Sequence, residues 1–198
     1  VSHAFDQSSW DGVTWADSLQ PEHADCVQVY SYCGAARNRE LIRAGLLDVI
    51  PLHYSQWGPL MRAGRIKVDV LLLQLAEKDG RFSLSTSHEY LVPALDSARV
   101  VIAEVNARAP FTHGERMLSP GDIDVIVHTD RPLLEQKSAA PGDADIAIAR
   151  HIAGLVEDGA TLQMGLGALP DTVVGLLADR RHLGIHSGMI GDKVAELM

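Results

Sequence analysis

The sequence has little of what marks disulfide-rich, metal-binding or membrane-spanning proteins. It has only two cysteines in 198 residues, Cys26 and Cys33, too few for a disulfide framework and without the CxxC spacing of a zinc site, so no metal is predicted. We expect both to be buried thiols. Apolar runs fall short of the ~18 residues of a membrane span. The first residues lack the basic and apolar regions of a signal peptide, which predicts a cytoplasmic protein without a membrane partner.

The chain also has fewer basic than acidic residues. The chain has 17 lysines and arginines against 26 aspartates and glutamates, a formal net charge of −9. This balance argues against nucleic acid as a partner, although it is compatible with a local cationic patch for the phosphates of a small ligand. Hydrophobic residues make up 46% and charged residues 22% of the chain, which is ordinary for a globular protein.

Short apolar runs alternate with helical patterns, which predicts an α/β fold with a mostly parallel sheet flanked by helices. Residues 68–75, VDVLLLQL, are almost wholly apolar and predict a strand covered on both faces. Asp79-Gly80 predicts a hairpin into an antiparallel strand over 81–85, which makes the sheet mixed. Residues 1–25 have no clean period and are expected to be irregular.

The periodic pattern lapses over residues 131–142, which contain two prolines and several charges. We place a domain boundary there, with a first domain over 1–135 and the beginning of a second over 143–198. Asp143 is expected to cap a helix that runs to Glu157. The buried stripe of that helix is predicted to consist of Ile146, Ala149, Ile152 and Val156.

The C-terminal segment predicts a βαβ unit. A β-rich run over 160–164 breaks at Gly165-Leu166-Gly167, and the apolar spacing of 169–177 then predicts a helix. Residues 183–187 suit the next parallel strand. Because the loops after parallel strands meet at one edge of a sheet, the glycine turn and the loop over 187–192 are predicted to lie together. Backbone amides at such a turn can approach an anion or a carbonyl oxygen closely.

These segments resemble the acetyl-CoA hydrolase/transferase family, which includes 4-hydroxybutyrate CoA-transferases. The resemblance lies in VDVLLLQLAEKDGRFSLS (68–85), AEVNARAPFTHGE (103–115), and DGATLQMGLGALPD with LGIHSGM (158–171 and 183–189). It implies a CoA-transferase-like fold with the start of a second similar domain, and a homo-oligomer. It also implies an acyl-CoA and a small carboxylate as partners, with coenzyme A as substrate and no permanently bound cofactor.

The resemblance further implies the site residues. In the family, the loop after the last strand carries a glutamate that attacks the acyl-CoA, giving an acyl-glutamyl anhydride and then a glutamyl-CoA thioester. In this sequence that position is Gly188, which cannot take the catalytic role. The backbone amide of Leu166 corresponds to an oxyanion donor. Substrate- or CoA-binding positions are Asn106, His113, Gly114, Gly165, Gly167, His186, Ser187 and Met189.

The glycine at 188 limits the chemistry that the sequence predicts. Covalent CoA transfer needs a carboxylate that attacks the thioester and later carries CoA. A cleft with an oxyanion donor but no such carboxylate suits direct attack by water or another acceptor. Glu104, Glu115 and Asp192 are the carboxylates nearest the motifs and are candidates for a substitute nucleophile.

Other interpretations stay open. The glycine turn is compatible with a tight turn that binds nothing or, despite Pro170 in place of a third glycine, with a dinucleotide site. His186 is compatible with a packed, hydrogen-bonded histidine. Three classes of function follow: an acyl-CoA hydrolase or CoA-transferase, a non-catalytic acyl-CoA-binding module, and a structural subunit. Family members are longer, and the chain ends in the helix-forming residues AELM, so we expect a fragment that exposes apolar surface.

Overall fold

The computed structural model describes the backbone of residues 2–6 and, with side chains, residues 25–32, 38–88, 90–133, 135 and 139–197. The chain forms two compact units, Val1–Leu134 and Glu135–Met198. None of the helices in these ranges is long and apolar enough to cross a membrane.

The first unit consists of strands joined by short helices. Its elements are β1 (Ser2–Asp6), β2 (Val27–Ser31), α1 (Asn38–Arg43), β3 (Leu47–Val49), α2 (Trp57–Arg62), β4 (Val70–Lys78), β5 (Arg81–Ser83), α3 (Leu91–Ser97), β6 (Val100–Asn106) and β7 (Val125–Thr129). Single 3-10 turns occur at Tyr54–Gln56 and Pro120–Asp122.

The strands of this unit form two sheets, one in the order β1-β2-β3 and one in the order β5-β4-β6-β7. Pairing is parallel except between β4 and β5, which are antiparallel. The turn between those two strands contains Asp79 (φ 51°) and Gly80 (φ 71°), as the hairpin dipeptide requires. The mixed sheet flanked by helices is therefore confirmed.

Strand β1 corrects the prediction of irregular structure at the start of the chain. Its five residues pair in parallel with β2 from Ser2–Val27 to Asp6–Ser31. SHAFD has no alternation that marks a strand, so its extended state follows from pairing with a neighbour rather than from local pattern. Residues 7–24 and Cys33 lie outside the described residues. Cys26 is exposed, so the expectation of a buried thiol is wrong there.

The core of the first unit lies on one face of the β5-β4-β6-β7 sheet. Alternate residues of β4 and β6 are covered there by α2 and α3, and the central buried side chains are Trp57, Met61, Leu71, Leu73, Leu75, Phe82, Leu84, Tyr90, Ala94, Val101, Ala103, Val105 and Leu118. The opposite face is open. On β4, Val70 and Leu72 are 49% and 41% exposed, so the prediction that this strand is covered on both faces is wrong for this chain.

The second unit contains α4 (Asp143–Ala153), β8 (Thr161–Leu162), α5 (Ala168–Gly175), β9 (Gly184–Ile185) and α6 (Asp192–Ala195). Strands β8 and β9 pair in parallel around α5. This confirms the βαβ unit predicted from the glycine turn and its flanking apolar runs.

Helix α4 departs from prediction at both ends. Its N-cap is Gly142, whose N–H donates to the Asp145 carboxylate at 2.9 Å, while Asp143 is the first helical residue. It ends at Ala153, with Gly154 as its C-cap, rather than at Glu157. The Arg180 guanidinium donates to the carbonyl of Ala153 (3.3 Å), in the last turn of the helix, and to that of Val156 (2.7 Å) beyond it.

The buried stripe of α4 also differs from the prediction. The alanines at positions 149 and 153 are buried, at 0% and 8% exposed, whereas Ile152 is 37% exposed. Ala149 belongs to the predicted stripe and is buried as expected, whereas Ala153 does not belong to it, so the face that packs inward is lined by small side chains.

Candidate functional site

The glycine turn lies between β8 and α5. Gly167 is the N-cap of α5 with φ 121° and ψ −180°, a backbone conformation that is essentially restricted to glycine. Its carbonyl accepts a hydrogen bond from the N–H of Asp171 at 3.1 Å. Gly165 has no such requirement, because its φ lies outside the left-handed region and an added Cβ there would meet no atom within 4 Å. Leu166 between them is half-buried.

The loop after β9 is hydrogen-bonded to the end of β8. The N–H of His186 donates to the carbonyl of Leu162 at 2.9 Å. The Ser187 hydroxyl accepts from the N–H of Met164 at 3.3 Å and donates to the carbonyl of the same residue at 2.9 Å. Because Met164 directly precedes Gly165, the serine joins the loop that contains position 188 to the glycine turn. The structure thus brings together the two loops that the βαβ pattern predicts at one sheet edge.

Position 188 faces open space. Gly188 is exposed, its φ lies outside the left-handed region, and an added Cβ would meet no atom within 4 Å. A Cβ therefore fits there without steric or backbone strain. His186 is exposed and Met189 is 40% exposed, so neither is held as a packed core residue.

Asn106 lies at the end of β6 and is 1% exposed. Its amide nitrogen donates to the carbonyl of Arg131 at 3.0 Å, and its amide oxygen accepts from the N–H of Arg108 at 3.0 Å. In this structure the side chain organises the start of the long loop over 106–121. A role in contacting the ligand stays a prediction.

His113 and Gly114 lie on the exposed side of that loop, in the wall of a cleft of about 350 Å³. The His113 ring packs edge-on against Phe111 at 5.6 Å between ring centroids. Thr112 fastens the loop to the turn after β5, since its hydroxyl donates to the carbonyl of Ser85 at 2.6 Å and its N–H donates to the Ser83 hydroxyl at 3.2 Å. The cleft is bounded by the turn on one side and the loop on the other.

Glu104 is not available as a substitute nucleophile. Both of its oxygens accept hydrogen bonds from the Arg131 guanidinium, at 2.5 and 2.6 Å, and Oε1 also accepts from the Thr129 hydroxyl at 2.6 Å. The Arg131 hydrogen bonds are the largest cause of a pKa lowered to about 2. A carboxylate whose lone pairs are committed in this way is a poor nucleophile. Glu115 and Asp192 are exposed.

The turn over 83–88 is a part of the candidate site that sequence reasoning missed. It contains Ser85 with φ 55°, a left-handed conformation unusual for a residue with a side chain. The letters FSLSTSH carry no glycine, asparagine or proline that signals such a turn. Within the described residues there is no cluster of three or more His, Cys, Asp or Glu side chains that could hold a metal ion.

Comparison with known proteins identifies the family to which this chain belongs. Residues 14–135 match the model of the acetyl-CoA hydrolase/transferase N-terminal domain, which is more than half of the chain, and the protein belongs to that family. A 4-hydroxybutyrate coenzyme A transferase of Clostridium kluyveri is 43% identical over 162 residues, which cover 81% of this chain and 38% of that protein.

Solved structures extend the similarity to both units. RipA from Yersinia pestis superposes with a TM-score of 0.88 at 32% identity, over 98% of this chain and 47% of its own. A 4-hydroxybutyrate CoA-transferase from Porphyromonas gingivalis gives a TM-score of 0.75 at 27% identity, over 100% of this chain and 52% of its own. The CoA-transferase-like fold is confirmed, and the chain spans about half the length of these structures or less.

Proposed function

We propose that the protein acts on a short-chain acyl-CoA thioester, with coenzyme A as a substrate and a small carboxylate as acceptor or product. The observation that carries the proposal is the pair of hydrogen bonds between Ser187 and Met164. They hold position 188 and the turn containing Leu166 at the same sheet edge, where an attacking group and an oxyanion donor are needed together. Membership of a family whose relatives are named as CoA-transferases supports the choice of thioester.

The chemistry follows from these positions. The backbone N–H of Leu166 donates to the thioester oxygen as negative charge develops there, and one such donor contributes roughly 10²–10³ in rate. In hydrolysis, a water oxygen bonds to the carbonyl carbon, the C–S bond breaks, and the CoA sulfur leaves with the electron pair and takes up a proton. The products are a carboxylic acid and CoA.

Because position 188 is a glycine, the reaction proposed for this protein differs from the family's covalent mechanism. Without a carboxylate on the loop, no residue there can form an anhydride and then carry CoA. We therefore propose direct attack by water or by an acceptor carboxylate. In the second case the carboxylate forms a mixed anhydride as the C–S bond breaks, and the released CoA thiolate then attacks the acceptor's carbonyl carbon, so that the original acyl group leaves as a carboxylate. The same glycine favours a second candidate, a non-catalytic acyl-CoA-binding module or structural subunit.

We further propose that residues 143–198 begin a second CoA-transferase-like domain.

Thiol release from acetyl-CoA and butyryl-CoA tests the proposal in the intact protein, with and without acetate. We expect turnover above the uncatalysed rate. Ser187→Ala should reduce kcat/KM by about tenfold, because the loop loses its bonds to Met164 and one hydrogen bond is worth about 1 kcal/mol. Ser97→Ala is the matched control, since that exposed hydroxyl donates to the carbonyls of Pro93 and Ala94 in its own helix.

The outcomes separate the candidates. Saturable acyl-CoA binding without thiol release supports the binding module and contradicts the enzyme. Absence of both binding and turnover contradicts the enzyme and the binding module and supports the structural subunit.

A further inference from the structure

The first turn of α5 contains a half-buried carboxylate, that of Asp171. Its backbone N–H donates to the carbonyl of Gly167 at 3.1 Å, so the residue follows directly on the glycine turn. Because a helix that follows a parallel strand begins at the carboxyl edge of the sheet, Asp171 lies at the same edge as the two loops described above. Sequence reasoning did not single it out, because no turn or loop signal marks a carboxylate inside a helix.

The Asp171 carboxylate lies against the loop that contains position 188. A Cβ added at Gly191 would be only 3.0 Å from Oδ1 of Asp171, which is closer than ordinary van der Waals contact. The backbone of Gly191 has φ −84° and ψ 164°, values that any residue adopts. The absence of a side chain at 191 therefore leaves room for the carboxylate and meets no need of the backbone.

The negative charge of Asp171 also acts on Lys193, at the start of α6. The Lys193 ammonium donates to both oxygens of Glu196 at 2.8 Å. This hydrogen bonding is the largest cause of the raised pKa of Lys193, and Asp171 adds a smaller coulombic contribution. Two observations thus place the carboxylate beside residues 191–193.

Several other carboxylates of the second unit lie elsewhere or are already paired. Glu157 and Asp158 directly precede β8 and so lie at the opposite edge of the βαβ unit. Asp192 is exposed, and the exposed Glu196 is held in an ion pair. Asp171 combines partial burial with contact to the loop of position 188.

Attack by water on a thioester is accelerated when a base removes a proton from the water. Glycine at 188 cannot act as that base, and a positioned carboxylate contributes about 10²–10⁴ in rate. We propose that Asp171 is the general base for thioester hydrolysis at this sheet edge. This role rests on the proposed function, because it requires a thioester bound between the two loops.

The reaction step balances without any further reactant. The Asp171 carboxylate accepts one proton from the water as the water oxygen bonds to the thioester carbon. The C–S bond then breaks, and the CoA sulfur leaves with the electron pair. The protonated Asp171 returns its proton to that sulfur or to solvent, so that the products are a carboxylic acid and CoA and the aspartate is regenerated.

The test is thiol release from butyryl-CoA by the intact protein without an acceptor, together with calorimetric binding of the same thioester. Asp171→Asn should lower kcat by about 10²–10⁴ and leave Kd unchanged, because the amide keeps the shape of the side chain but is not a base. Asp171→Glu keeps a carboxylate and should be faster than Asp171→Asn. Glu157→Gln, which removes an exposed carboxylate at the opposite edge, is the matched control and should leave kcat unchanged.

The order of the two variants separates a base from a structural residue. If only the shape of the side chain mattered, Asp171→Asn would be the more active of the two, and that result would overturn the proposal. An acyl adduct trapped on Asp171 would also overturn it, since the residue would then be a nucleophile. Hydrolysis that survives Asp171→Asn rejects this role alone, whereas no thiol release by the natural sequence rejects the proposed function together with it.

If Asp171→Asn fails to fold, Gly191→Ala tests the same carboxylate without removing it. The new methyl, 3.0 Å from Oδ1, should displace the carboxylate and lower kcat by about tenfold, because catalysis is sensitive to small misplacements of the reacting groups. Gly175→Ala is its control, since a Cβ there would meet no atom within 4 Å. Equal kcat in these two variants would contradict the role of Asp171.

Discussion

At the scale of single residues, Glu104 is fixed as a carboxylate by its neighbours. Hydrogen bonds from Arg131, then from Thr129 and Gln74, outweigh the opposing effect of burial and lower its pKa from 4.5 to about 2. Because the pKa is lower in the folded state, the stabilisation is fully present above about pH 4.5. It is lost as the pH falls from there towards 2.

Glu104→Gln should therefore flatten the acid side of the stability profile between pH 4.5 and 2. At pH 7 we expect a cost of about 1–3 kcal/mol, because a charge-assisted pair is replaced by weaker bonds. Urea unfolding at a series of pH values measures both effects, with the exposed Glu77→Gln as control. An acid profile that keeps its slope in Glu104→Gln would contradict this account.

At the scale of elements, the start of α5 depends on one glycine. Gly167→Ala should cost about 1–3 kcal/mol, since φ 121° with ψ −180° is a conformation that side chains rarely permit. Gly165→Ala, two residues earlier, should change stability by less than about 0.5 kcal/mol, because its backbone and surroundings accept a Cβ. Denaturant unfolding of the two variants makes the comparison. Equal effects would show that the geometry at Gly167 is not required.

The elements also show which parts of the fold can be predicted from the sequence. The hairpin at Asp79-Gly80 and the βαβ unit around α5 follow from local turn chemistry and hydrophobic period, so both were predictable. Strand β1 was not, because its state depends on pairing with β2. The last turn of α4 is capped by Arg180, 27 residues beyond Ala153. The Ser85–His88 turn depends on a bond from Thr112 across 27 positions, which no local pattern reveals.

At the scale of the whole molecule, the open face of the β5-β4-β6-β7 sheet exposes apolar side chains. Val125 and Val127 on β7 are 45% and 49% exposed, and the register Leu72–Ile102–Val125 places them on the same face as Val70 and Leu72. Exposed apolar side chains on one sheet face favour association. The homo-oligomer implied by the family resemblance stays a prediction.

Size-exclusion chromatography with light scattering should show the 198-residue chain larger than a monomer. Val127→Lys should shift it towards the monomer, because a charge on this face disfavours burial. Val49→Lys changes a valine of similar exposure, 40%, on the other sheet of this unit and should leave the assembly unchanged. A monomer at every concentration would contradict the prediction.

The central proposal is that glycine at position 188 rules out covalent catalysis there, while the two surrounding loops keep a geometry that suits an acyl-CoA. Incubation of the intact protein with butyryl-CoA, followed by borohydride or hydroxylamine trapping and peptide mass spectrometry, tests it most directly. The account predicts no adduct on the loop over 187–192 in the natural sequence. It predicts a trapped adduct, with exchange of CoA to acetate, in Gly188→Glu, where the side chain enters open space. An adduct on Asp192 or Glu115 in the natural sequence, or no gain in Gly188→Glu, would contradict it.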